Sequence, residues 1–188
     1  MMAEHDFISV FDMFKIGVGP SSSHTLGPWK AALHCLGEMD AQMGLDNIIG
    51  IDILLYGSLA KTGKGHGTDM AVLMGLMGED PITTDTATIQ DKLNLIQNTS
   101  HLVLNKMHSI VFIKEQHLQF LKEESLPHHP NALRFVVHAE TKQLTFTYYS
   151  IGGGFIEKSI LDDQGNEFII PVDNTEKVAK EVPFDFVN

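Results

Sequence analysis

The sequence predicts an α+β domain with a mixed, largely antiparallel sheet and helices packed on one side. Two observations predict it. Apolar residues recur at helical spacing through the first half of the chain, and from Met107 onward short β-rich runs alternate with Asn, Asp and Gly turns. Helices followed by a run of strands argue for this class over an alternating α/β sheet.

At the N-terminal end, "FISVFDMFKIG" is apolar and short, and pattern alone leaves strand and helical turn both open. Leu26, Trp29, Leu33, Leu36, Met39 and Met43 then recur three or four apart, with Lys30, His34, Glu38 and Gln42 off that stripe. This is a one-faced helix that stops at Gly44, with Cys35 in its core region. "NIIGIDILLYG" is rich in β-branched residues and bounded by turn residues, hence a buried strand. Glycines 63, 65 and 67 favour a loop over residues 63–69, and Thr68 or Asp69 is the expected N-cap of the apolar, buried helix that follows. "TATIQDKLNLIQNTS" reads as an amphipathic helix with Ile89, Leu93 and Ile96 on one side. The strands are "HSIVFI", "ALRFVVHAE", "LTFTYYSIGGGF", "EKSIL" and "EFIIP". The glycines of "IGGGF" either relieve a strand bend or bring backbone close to a ligand. Residues 1–188 read as a single domain, and the closing "EVPFDFVN" resembles a departing linker.

The chain has 188 residues, of which 43% are hydrophobic and 20% charged, an ordinary composition for a globular domain with a real core. A formal net charge of −11 without a Lys/Arg run argues against nucleic-acid binding. The single cysteine excludes an internal disulfide framework and any iron–sulfur or Cys-rich zinc site built by this chain alone. Neither a secretory signal nor a membrane-spanning run is apparent, so a cytoplasmic location is expected.

Two polar stretches open helices: residues 19–25, within "GPSSSHTLGP", and residues 63–69, within "KTGKGHGTD". Free N–H groups at a helix start, aided by hydroxyls, suit an anion such as a carboxylate or phosphate. Neither stretch fits a Walker or dinucleotide fingerprint, because Lys64 is followed by Gly65 and the glycine spacing is wrong. His66, between Gly65 and Gly67, is either a solvated loop histidine or a proton-transfer group suited to neutral pH. His128 and His129 in "LPHHPN" read as a turn, with a metal site as the alternative; Lys61 and Lys64 read as solvated.

"SVFDMFKIGVGPSSSHTLGP", "KTGKGHGTD" and "YYSIGGGF", in this order and at these distances, resemble the β domain (or β subunit) of bacterial iron–sulfur L-serine dehydratases over about residues 8–184. The resemblance implies conversion of L-serine to pyruvate and ammonia without pyridoxal phosphate, at a site shared with an α domain. That domain carries the [4Fe–4S] cluster, which this chain does not bind. The resemblance further implies His66 as the base. Ser21, Ser22, Ser23, His24 and Thr25 would orient substrate, with Lys64, Gly65, Gly67, Thr68 and Asp69 also lining the site; no metal ligand is expected here. Thr68 and Asp69 are expected to hold His66 or cap the helix rather than react. The architecture is expected to resemble the allosteric substrate-binding domain of phosphoglycerate dehydrogenases. The implied partners are the α domain, L-serine and a second copy of the full enzyme, with no nucleic acid or membrane. Because "EVPFDF" resembles the junction to the α domain, the chain is expected to be an excised domain, inactive by itself. The competing readings are a non-catalytic module that binds serine or an anion, and a structural partner whose loops dock on the α domain.

Overall fold

The computed structural model describes residues 21–162 and 164–172; the segments "FISVFDMFKIG" and "EVPFDFVN" lie outside them. In chain order, α1 (Gly27–Met43) is followed by β1 (Ile48–Tyr56), α2 (Gly57–His66), α3 (Thr68–Leu76) and α4 (Ile89–Thr99). A hairpin of β2 (His101–Leu104) and β3 (His108–Val111) and the short α5 (Lys114–His117) come next. β4 (Leu118–Leu121), β5 (Ala132–Ala139), β6 (Gln143–Gly152), β7 (Phe155–Leu161) and β8 (Glu167–Pro171) complete the order.

The main sheet runs β4-β1-β5-β6-β7-β8, and β2-β3 forms a separate ladder. The β1–β4 pair is parallel; every other pair in the main sheet is antiparallel. The mixed, largely antiparallel α+β architecture expected from the pattern is the one found.

The period-two pattern of β1 puts Ile51, Ile53 and Leu55 into the core, with Asp52 and Leu54 on the opposite face. Phe135 and Val137 of β5 and Tyr148 of β6 continue that inner face. It is covered by Trp29, Cys35, Leu36 and Met39 of α1, on which the wholly buried run Ala71 to Leu76 of α3 packs. The other face carries a smaller cluster of Tyr56, Ala132 and Tyr149. α1 ends at Gly44 with φ +73°, and Ile89 and Ile96 bury one side of α4.

The structure refines several local expectations. Residues 63–66 are not a loop but the last turn of α2, and residues 22–26 are a π-helical turn running into α1. The N-cap of α3 is Gly67, with neither Thr68 nor Asp69 in that position. Gly67 takes the left-handed conformation (φ +69°), which lets α2 end and α3 begin with one residue between them. The glycines of "IGGGF" lie at the β6–β7 turn, all three at positive φ, where the ladder shifts register between Ser150 and Gly152.

Candidate active site

Pro28 shapes the serine turn. It sits in the first turn of α1 and has no N–H to offer the His24 carbonyl one helical turn earlier. The ladder shifts register instead: the Gly27 N–H donates to Ser22 O, five residues back. The freed His24 carbonyl accepts the Thr68 hydroxyl at 2.6 Å. The converse bond lies beside it. His66 ends α2, so its carbonyl lacks an intrahelical donor, and the Thr25 hydroxyl donates to it at 2.9 Å. Thr25 and Thr68 are both fully buried. Two carbonyls stranded by a proline and a helix end are thus satisfied by two threonines, one from each motif.

This lacing brings His24 and His66 together, with ring centroids 5.1 Å apart at a 50° tilt. His24 Nδ1 lies 3.0 Å from Ser23 Oγ and 3.5 Å from Ser21 Oγ, and the two hydroxyls are 3.3 Å apart. Its Nε2 lies 3.1 Å from Ser58 Oγ on α2. Burial lowers the His24 pKa, and the nearby His66 lowers it further, against an opposing contribution from the Ser58 backbone. Burial and the neighbouring ring both favour the neutral imidazole of His24. His66 Nδ1 is buried without a hydrogen-bond partner. It stands at the C-terminal end of α2, where the helix dipole favours a positive charge.

Ser21 is the extended residue before the π-helical turn, and Ser22 is exposed at its start. The first N–H groups of such a turn have no partner within the helix. The second motif divides differently from the expectation of an anion-binding loop. Lys64 and Gly65 are exposed, with Lys64 Nζ 5.8 Å from the Phe120 ring centroid, and Gly67 is the junction. Asp69 does lie in the first turn of α3, where its carboxylate meets Lys114 Nζ at 2.7 Å. Ser21, Ser23, His24, Thr25, His66 and Thr68 are directly connected; Lys64 and Asp69 point to other partners, and Gly65 is exposed.

Ser58 was not legible as a site residue in the sequence. It lies 34 positions from His24 and belongs to no local pattern, although its place just after a strand and shortly ahead of "KTGKGH" is a usable signal. Elsewhere, His128 pairs with Glu157 at 2.6 Å, and His129 Nδ1 accepts the Asn131 N–H at 3.1 Å, so this pair fixes a turn. Cys35 is wholly buried, and burial raises its thiol pKa. Among the described residues, no group of three His, Cys, Asp or Glu side chains is placed to hold a metal ion. No described helix is long and apolar enough to cross a membrane.

The serine dehydratase beta chain family matches residues 9–160, which hold both helix-linking motifs and the β6–β7 turn. An L-serine dehydratase of Streptomyces coelicolor is 40% identical over 166 residues, 83% of this chain and 36% of its own length. L-serine dehydratase 1 of Escherichia coli K12 is 39% identical over 170 residues, 87% of this chain and 37% of its own. The TdcG L-serine dehydratase of the same strain is 38% identical over 181 residues, covering 95% and 37%. The chain therefore spans little more than a third of the length of these relatives. With its motifs laced into one cluster and this match over most of its length, the chain belongs to the serine dehydratase beta chain family.

Proposed function

We propose that this chain is the β part of an L-serine dehydratase, acting with a cluster-bearing α part to convert L-serine to pyruvate and ammonia. The observation that carries the reading is the convergence of His66, His24 and the serine turn, held by the Thr25–His66 and Thr68–His24 bonds. In this reading His66 takes the proton from Cα of serine. Its unpartnered Nδ1 records a ring not committed to the protein's own hydrogen bonds, and the end of α2 stabilises the cation formed. The turn, with its hydroxyls and first N–H groups, holds the substrate carboxylate.

The [4Fe–4S] cluster does not fit this chain. Such a cluster needs several thiolates, and Cys35, the single cysteine, lies inside the core with its thiol pKa raised. The cluster is assigned to the α part. The relatives named for this activity, nearly three times as long, support a further part of that kind.

The test is anaerobic pyruvate formation from L-serine by the assembled enzyme carrying His66→Asn, which keeps a hydrogen-bonding group and removes the base. Turnover is expected to fall by about 10²-fold or more, with cluster content and serine binding retained. Near-normal turnover would leave this part as a binding or regulatory module.

A further inference from the structure

The serine turn is held from two sides. The threonine lacing joins it to α2 and α3. On its other side β6 packs against it, within the segment "YYSIGGGF", to which the dehydratase reading gives no task. Ser150 carries its side chain to Gly27: a Cβ there would lie 1.9 Å from Ser150 Oγ and 2.8 Å from Ser150 Cβ. Gly154 lies against Leu26, so close that a Cβ on it would come within 2.6 Å of Leu26 Cδ2. Leu26 ends the π-helical turn and Gly27 begins α1, so both contacts fall on the joint between them. The β6 end is itself firmly placed. The Ser150 N–H donates to Asn131 O at 2.9 Å, and Asn131 Nδ2 donates to Ser150 O at 3.2 Å. The preceding Pro130 carbonyl accepts the Ser58 N–H at 2.8 Å, which ties the same segment to the start of α2.

We propose that the end of β6 and the turn after it set the position of the serine turn, with Ser150 and Gly154 as positioning residues that do not touch the ligand. Ser150 is wholly buried and its hydroxyl has no hydrogen-bond partner, so it acts on Gly27 through its volume. Gly154 is buried as well, and at φ +77° it brings backbone to Leu26 where a side chain would collide. The close approach that this glycine permits is therefore to the chain itself. Of the other two glycines, a Cβ at Gly152 would meet nothing within 4 Å, and one at Gly153 would meet only the Phe155 ring. The consequence for substrate rests on the reading that the serine turn holds its carboxylate.

The experiment swaps volume across the contact and reads the KM for L-serine of the assembled enzyme. The variants are Gly27→Ala, Ser150→Gly and the two together, each also melted in urea. Gly27→Ala is expected to raise KM about tenfold or more, the loss that goes with displaced hydrogen bonds to a charged group, with a smaller change in kcat. Adding Ser150→Gly vacates the space that the new methyl needs, and is expected to bring KM most of the way back to wild type. A double variant no better than Gly27→Ala would overturn the proposal. So would Ser150→Gly alone raising KM as much as Gly27→Ala, since Ser150 would then be a ligand contact. If stability is lost and rescued while KM never moves, the contact stands; what falls is the carboxylate-binding reading of the turn, and this role of β6 with it. Should Gly27→Ala fail to assemble, Gly154→Ala against Gly152→Ala decides. Both add a methyl at positive φ, but only the first reaches Leu26, and only the first is expected to raise KM. Equal KM values in that pair would overturn the proposal.

Discussion

Thr68 carries two duties through one oxygen. Its hydroxyl donates to the His24 carbonyl, and it stands where a Cβ on Gly63 would come within 2.9 Å of the same atom. A valine there has nearly the same shape but cannot donate, and it would leave the His24 carbonyl, stranded by Pro28, without a partner. Thr68→Val is expected to cost about 1–3 kcal/mol in urea unfolding, the usual penalty for a buried polar group left unsatisfied. Thr68→Ser, which keeps the donor, should cost less; equal losses would mean that packing, not the hydrogen bond, holds the motifs together. This role was hidden in the sequence. A threonine before an apolar run reads as an N-cap, and the alternative depends on a carbonyl 44 residues away whose donor is absent because of Pro28. His66 stood out because glycines flank it, but its closeness to His24 needed the fold.

At the scale of elements, the long periodic pieces were legible: α1, β1, α3, α4 and the strands from β5 to β8 follow their hydrophobic patterns. The helical state of α2 was not, since "KTGKGHG" has poor intrinsic propensity. Leu59, Ala60 and Gly63 make it helical by burying one side of α2, which packs against β1 and β4. The four-residue strands β2 and β4 were equally unmarked, being too short for periodicity to register. Two glycines on α1 separate close approach from mere tolerance. A Cβ at Gly27 would lie 1.9 Å from Ser150 Oγ on β6, whereas at Gly37, on the exposed side, it would meet nothing within 4 Å. Gly27→Ala is therefore expected to destabilise the chain by about 1–3 kcal/mol, the range for overpacking. Gly37→Ala should stabilise it by about 0.5–1 kcal/mol through helix propensity. Paired thermal or urea melts check both signs, and a stabilising Gly27→Ala would mean that the turn and β6 can move apart.

Over the whole molecule, the titrating groups make stability depend on pH in two separate windows. His24, His34 and His129 all have lowered pKa values, with burial the largest cause in each. For His34 the Glu38 carboxylate pulls upward but does not win, and for His129 the neighbouring His128 adds to the lowering. In the unfolded chain these rings titrate near ~6.5, so just below that pH the unfolded state binds more protons than the native one. Their contribution to stability is thus fully present above about pH 7 and is lost as pH falls below ~6.5 toward the native values. The second window belongs to Glu38 and Glu79. Burial pushes both carboxyls up, but hydrogen bonds and charge from Lys158, with Tyr148 also donating to Glu38, and from Lys92 and Lys106 at Glu79 bring both below the usual carboxylate range. Their contribution is present above ~4.5 and disappears as pH falls through the lowered values. The melting temperature should therefore drop between pH 7.5 and 5.5, and drop again below about pH 4.5. Replacing His34 and His129 together with glutamine should shrink the first step, with His24 left to titrate, and change the second only through the loss of His34 beside Glu38. If the first step persists undiminished in that variant, protonation of these two histidines is not what drives it.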